Sequence, residues 1–405
     1  MIKPPPASLE QMNVRQKRDR ERVEKIVEEI SGLRRYLRSL EAALRERGDA
    51  LRFEEAAKGM REEEALAVLK GFCPADACQE IEAKAKKERW GIVFEEPADD
   101  DKVPTLIRNP KWVGLIKPVF NFIDIAPGYK EYDISLFFLL FFSLFVGMLI
   151  GDAGYGMLFI AAIAWAHFKF GKSMQDPTPL YLAYVLSGCV LAWGILTGTF
   201  FGQQWLARTS FQPVLPWLKS NENIQLFCFT LGAVHLSVAH IWRVIQKFPS
   251  ARFLSDVGWL ALLWGMFAMA RTLILGAPLN ALALNLLAGG AGLVVFFTRP
   301  NWNPLKAVGP GLGDLALNVV NTFTDIVSYI RLFAVGLATV AVADATNAMA
   351  GEVGGIWFFI ILLIGHVINV VLALMAILVH GLRLNVLEFS GHLNMEWAGF
   401  NYVPF

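Results

Sequence analysis

Five polar residues recur along one apolar stretch. Asp314, Asn318, Asn321, Asp325 and Ser328 follow one another at intervals of four, three, four and three. On an α-helix that spacing puts them on one face, and Arg331 continues it three residues later. An arginine in hydrocarbon costs at least about 2.5–3.5 kcal/mol. It cannot escape by losing its proton, because its pKa stays above about 12. A second apolar stretch carries His366, Asn369, Ala373, Ala376, His380 and Arg383, again at intervals of three and four. That face alternates polar residues with small ones, which lets helices approach closely. Carboxylates, imidazoles, carboxamides and two permanent cations on matched helical faces mark an ion path. A simple pairing of Asp325 with Arg331 or Arg383, holding two helices together, is the other reading of the same residues. Asp314, Glu388 and Asp152 are weaker candidates. The first two could be solvated charges near helix ends, and Asp152 sits in the glycine-rich turn "GDAGYG".

The elements that must position these groups follow from the distribution of charge. The chain has 405 residues, of which 18% are charged, but residues 1–132 hold 25 Lys+Arg and 25 Asp+Glu, leaving 12 and 11 for the rest. A charged head therefore precedes an integral membrane domain at 133–405. Residues 134–170 are too long for one span of about 20 residues, and "GDAGYG" divides them in two. Further spans lie near 180–201, 224–247, 257–275, 280–298, 313–349 and 355–389, about eight in all. The last two each exceed the thickness of a bilayer, so they must tilt steeply or kink. The fold class is mainly α, a polytopic membrane protein. Lys169, Lys172, Arg243, Lys247, Arg252, Arg299 and Lys306 fall in loops on one side, against Arg208, Lys219 and Arg271 on the other. This bias places both termini in the cytoplasm.

The head begins with a flexible lead-in, residues 1–14, followed by a coiled-coil helix at 15–60. Val23, Ile26, Ile30, Leu33, Leu37, Leu40 and Leu44 alternate spacings of three and four, an a/d seam flanked by Arg and Glu. Such a seam needs a second helix to bury it. Residues 61–132 read as a small α/β cytoplasmic lobe and the approach to the membrane. Within it, "ALAVLKGFCP" is a strand entering a turn, "ADACQEIEAKAKKERWG" a helix and "IVFEEP" a second strand.

"FFSLFVGMLIGDAGYG", "DIVSYIRLFAVGLA" and "GHVINVVLALMAILVHGLRLNVLEF" are similar to the membrane half of subunit a of V-type and archaeal-type rotary ATPases, called subunit I in bacteria. "VPTLIRNPKWVGLIKPV" resembles that family's approach to the membrane. The resemblance covers roughly residues 65–405. It implies a stator beside a rotating ring of c-type proteolipids whose carboxylates bind H⁺ or Na⁺. Two aqueous half-channels would reach that ring from opposite sides, separated by an essential arginine, which the motif places at Arg331. A second family arginine falls on Arg383. On their helical faces, Asp325, His380, His366, Asn369, Ser328 and Asn321 are candidates for lining a half-channel. Implied partners are the proteolipid ring, peripheral stalk subunits, the catalytic ATPase sector and the bilayer of a prokaryotic inner membrane. In the family the head is a hairpin of two long helices, and this sequence starts within the returning one. A separate polypeptide completing the coiled coil, a short stalk contact and an incomplete chain are the three readings open.

Other classes fit less well. The four cysteines, Cys73, Cys78, Cys189 and Cys228, lack zinc-site spacing, and no metal or cofactor is expected. A net charge of +1 gives no footprint for nucleic acid. No phosphate-binding G-x-x-x-x-G-K-[ST] loop is present, so no catalytic activity is expected of the chain itself. A secondary ion transporter or channel using the same polar faces is the main alternative, although no repeat relates the two halves. A membrane-anchored coiled-coil scaffold is the third.

Overall fold

A computed structural model describes residues 9–63, 66–98, 100–174, 176–203, 213–300 and 304–403. Residues 1–8 of the expected lead-in, and Arg208, lie outside them. The described chain falls into two units, one comprising the residues up to Asp101 together with Tyr402 and Val403, the other spanning Lys102–Asn401.

In the first unit, α1 runs from Leu9 to Lys58. The helix thus starts within the segment expected to be flexible. Val23, Ile26, Ile30, Leu33, Leu40 and Leu44 are all exposed along it, which leaves the seam open. Two three-residue strands, β1 (Arg61–Glu63) and β2 (Leu66–Val68), pair antiparallel. Helix α2 (Cys78–Glu88) starts with Glu80 and ends with Lys86 and Lys87, as the helix dipole favours. Arg89, at φ 60°, closes it by donating its N–H to the Ala85 carbonyl. The expected strand at Ile92–Glu96 is irregular instead. β2 takes its ladder from the adjacent β1, and the "IVFEEP" segment has no strand to pair with among the described residues.

The second unit is helical. A short turn at Val113–Ile116 leads into α3 (Lys117–Ile123). Ile116 and Phe120 join the same core as Phe138, Phe142 and Phe145. They belong with the second unit, which begins at Lys102. Helix α4 (Ser135–Ile150) buries twelve of its sixteen residues, so it is the centre of the bundle. Gly151 at φ 68° ends it, and α5 (Ala153–Phe170) begins two residues later. Next come α6 (Thr178–Thr197), α7 (Asn221–Lys247), α8 (Phe253–Leu275) and α9 (Ala281–Phe297). A Cβ on Gly194 would stand 2.0 Å from the backbone nitrogen of Ala153, so only glycine lets α5 and α6 meet there.

The last two spans are α10 (Pro304–Ser328) with α11 (Ile330–Glu352), and α12 (Ile356–Ala376) with its extension to His392. Tyr329 interrupts the first pair: its N–H donates to the Ile326 carbonyl, three residues back. The extension of α12 contains two wide π turns, Ile377–Gly381 and Leu384–Phe389, before α13 (Ser390–His392). Six described helical stretches are long and apolar enough to cross a membrane, and α4 and α9 are shorter apolar helices of 16 and 17 residues. They fall where the sequence places eight apolar stretches, and six of the eight are long enough to cross. Only 17% of the most apolar window of the α12 stretch is buried, which puts it at the edge of the bundle with Leu363, Val367, Val371 and Leu374 exposed.

Candidate functional site

Arg331 follows the break at Tyr329 by two residues. Its Nε donates to the Ser328 carbonyl at 3.0 Å, and its Nη2 donates to Glu388 Oε1 at 2.5 Å. The same Glu388 oxygen lies 3.4 Å from Arg383 Nε. Both sequence-marked arginines therefore converge on one carboxylate, which is 4% exposed, while Arg383 keeps 54% of its side chain exposed. Glu388 is not a solvated end charge. Five residues on an ordinary α-helix turn through about 500°, which would leave Arg383 and Glu388 roughly 140° apart. The π turn, with its i to i+5 bonding, brings residues five apart onto one face.

The break itself is held by a buried pair. His235 on α7 shares a hydrogen bond of 2.7 Å between its Nδ1 and the Tyr329 hydroxyl. The imidazole is stacked between Phe141 and Phe389, with ring centres 3.9 and 4.4 Å away. Gly232 leaves the room for this: a Cβ there would come within 2.6 Å of the Tyr329 ring.

On the α10 side of Arg331 lies a cavity of about 260 Å³. Asp314, Asn318, Asn321 and Asp325 all line it, as their spacing predicts. Asn318 Nδ2 donates to Asp314 Oδ1 at 2.9 Å. The Ser328 hydroxyl donates to the Asp325 carbonyl. Asp325 pairs with neither arginine. His392 Nε2 stands 3.1 Å from Asp325 Oδ2, and His392 Nδ1 stands 3.0 Å from His240 Nε2. Arg243 Nη1 donates to the His392 carbonyl. Arg243 and Lys247 in turn hold Asp256, whose side chain is 1% exposed, at 2.9 and 2.6 Å. Two of the cations expected in loops are thus matched by a buried carboxylate.

A second polar cluster gathers on the other side. His366 Nδ1 and the Tyr155 hydroxyl are 2.6 Å apart. Asn369 Nδ2 donates to that hydroxyl at 3.0 Å and to the Thr339 carbonyl at 2.9 Å. Asn347 Oδ1 lies 3.3 Å from His366 Nε2. Asn347 stands sixteen residues beyond Arg331, about 24 Å along a helix. Asp152 is 1% exposed and caps α5: Oδ1 accepts from the N–H groups of Gly154 and Tyr155, and Oδ2 from that of Gly202. Near this end a cavity of about 420 Å³ is lined by Gly151, Thr199, Lys219, Leu332 and Gly336. His380 lies in the first π turn, half-buried, and its Nδ1 has no protein partner among the described residues.

Sequence periodicity missed His392, His240, Tyr155, Asn347 and the His235–Tyr329 pair. Extended beyond Arg383 at the α-helical interval, the second stripe reaches Leu387 and Ser390. One π turn lies beyond Arg383 and delays the face by about one residue, which brings Glu388 onto it in place of Leu387. His240 and His235 stand alone on α7 and carry no pattern of their own.

Apolar helices enclosing buried ion pairs make this a mainly α-helical polytopic membrane protein. No family model matches the chain. It is 33% identical to V-type ATP synthase subunit I of Borreliella burgdorferi, over 93% of this chain and 66% of that protein. It is 33% identical to V-type ATP synthase subunit I 1 of Treponema pallidum, over 84% of this chain and 58% of that protein. A-type ATP synthase subunit I of Methanocaldococcus jannaschii is 28% identical, with 83% of this chain and 54% of that protein covered. The chain belongs to the family of subunit I of V-type and A-type ATP synthases. It spans between half and two thirds of the length of these relatives.

Proposed function

We propose that this chain is the stator membrane subunit of a rotary V/A-type ATPase, providing two ion half-channels beside a ring of c-type proteolipids. The observation that carries this reading is the arginine centre between two polar clusters: Arg331 and Arg383 share Glu388, with the Asp314–Asp325 cavity on one side and the Tyr155–His366–Asn369 cluster on the other. A permanent guanidinium favours the ionised form of any carboxylate brought beside it. Each ring carboxylate reaching Arg331 would give up its ion to the exit side, and the fixed charge would repel ions from crossing directly between the half-channels. The exposed apolar edge along α12 supports a sliding surface for the ring. Nucleotide chemistry belongs to partner subunits, and the stalk helix α1 meets a second helix supplied from outside the described segment. The host is a prokaryotic inner membrane, with both termini in the cytoplasm.

Two measurements test this. A mild-detergent pulldown of the tagged chain from its native membrane should recover a small carboxylate-bearing ring protein together with catalytic ATPase subunits. Recovery of the chain alone would favour a self-contained transporter. In vesicles carrying the assembled complex, Arg331→Ala should abolish ATP-driven ion uptake without loss of assembly. Uptake at the wild-type rate would sink the stator reading.

A further inference from the structure

Two thiols in the first unit stand face to face at its surface. Cys73 Sγ and Cys78 Sγ are 3.7 Å apart, Cys73 exposed and Cys78 half-buried. Both are free, and the chain's other two cysteines, Cys189 and Cys228, belong to the second unit. Among the described residues no group of three or more His, Cys, Asp and Glu is placed to hold a metal. The pair is therefore without a metal to explain it.

The intervening sequence "PADA" builds the approach. Pro74 sits at φ −62°, the value its ring enforces. Its carbonyl accepts the Ala77 N–H, and a tight turn follows over Ala75–Ala77. Cys78 is the first residue of α2, its backbone N–H donates to the Ala75 carbonyl, and its Sγ lies 3.7 Å from the Pro74 carbonyl oxygen. The turn thus holds Cys78 over the residue that follows Cys73. Residues 69–74 lie outside any helix or strand, so Cys73 is free to move. A sulfur–sulfur bond of about 2.05 Å needs the two atoms to close by roughly 1.7 Å, within the reach of a side-chain rotation on an exposed, irregular segment.

We propose that Cys73 and Cys78 are a reversible dithiol–disulfide site, oxidised by a low-molecular-weight disulfide of the glutathione class. Cys73 Sγ, the more exposed, attacks one sulfur of the oxidant. A mixed disulfide forms on Cys73, the oxidant's own S–S bond breaks, and its first half leaves as a thiol carrying the Cys73 proton. Cys78 Sγ then attacks Cys73 Sγ and displaces the second half, which leaves with the Cys78 proton. Two electrons and two protons pass from the pair to the oxidant. The reverse exchange with excess thiol reopens the bond. Loss of hydration first, and the bond to Cys78 next, push the Cys73 thiol up from its ordinary value. Thiolate is therefore scarce at neutral pH, which suits a slow exchange equilibrium and not a fast peroxide trap. Exposed disulfides are the labile ones, and this bond would tie the start of α2 to the segment before it.

The test uses the full-length chain in its purified complex, equilibrated without oxygen in mixtures of glutathione and glutathione disulfide, quenched with acid and alkylated. Trypsin releases both cysteines on one peptide, residues 71–84, so their states are read together by mass. In reduced glutathione both thiols should carry the alkyl label. As the disulfide fraction rises both labels should be lost together, leaving a peptide two hydrogens lighter than the unlabelled one, and excess glutathione should restore them. Cys73→Ser should instead accumulate a glutathione adduct on Cys78, and Cys78→Ser one on Cys73, because no second thiol remains to displace it. Labels retained in glutathione disulfide alone, a mixed adduct that persists in the wild type, or a bond that excess glutathione leaves closed would each overturn the proposal. The wild-type titration decides it even where a variant fails to assemble.

Discussion

Glu388 Oε1 lies 2.5 Å from Arg331 Nη2, and the carboxylate is almost wholly buried. A buried pair deprived of one member loses about 3–5 kcal/mol. Glu388→Gln should therefore destabilise the membrane domain by a few kcal/mol, toward the lower end because Arg331 keeps 22% of its side chain exposed. Coupled ion uptake should fall by about tenfold, since Arg331 would lose the group that aims it. Thermal stability of the purified complex and uptake in vesicles check both parts. Unchanged values would mean that the pair orients nothing.

Arg383 stands 3.4 Å from the same oxygen and is more than half exposed. Screened by its surroundings, it contributes less than Arg331. Arg383→Ala should reduce coupled uptake two- to fivefold, about 1 kcal/mol or less by the usual conversion, and leave assembly largely intact. Complete loss of uptake in a well-assembled complex would place Arg383 on a par with Arg331.

The Tyr329 hydroxyl is joined to His235 inside the core. Removing it leaves a buried imidazole nitrogen unsatisfied, at about 1–3 kcal/mol. Tyr329→Phe should lower the unfolding temperature, and Gly232→Ala should do so more strongly, because its methyl group would press on the ring at 2.6 Å. Gly188→Ala is the control, since nothing lies within 4 Å of the added carbon. Equal melting temperatures for Gly232→Ala and Gly188→Ala would contradict the packing described.

Asp152 accepts three backbone N–H groups at the start of α5. Asp152→Ala should cost roughly 2 kcal/mol or more, at the upper end for a lost N-cap, with most of the effect on yield and thermal stability of the complex. Asp152→Asn keeps an acceptor and should recover much of the loss. If Asp152→Asn assembles normally yet fails to transport, the carboxylate has a role in ion passage beyond capping.

Legibility from the sequence followed the winding of the helices. The Asp314–Asn318–Asn321–Asp325 face was readable because α10 keeps ordinary α-helical winding through all four residues, and the cavity holds all four. Glu388 and His392 were not, because the winding changes at residue 377 and again at 384. The alternative pairing of Asp325 with an arginine is not made, since Asp325 meets His392; the arginines are taken by a carboxylate five residues beyond Arg383. In the first unit, a run of β-favouring residues at "IVFEEP" outweighed the need for a neighbouring strand. Helix α1 shows the opposite case, where a heptad pattern gave the element but carried no information on what covers its seam.

The wide turn at Leu384–Phe389 links matters that look separate. Winding the same residues as an ordinary α-helix would rotate everything downstream by about 100°. Glu388 would leave the two guanidinium groups, and His392 would swing away from Asp325 and His240 in the same motion. The arginine centre and the histidine pair therefore share one phasing element, and the winding of this segment sets the aim of both even where its side chains are free to vary.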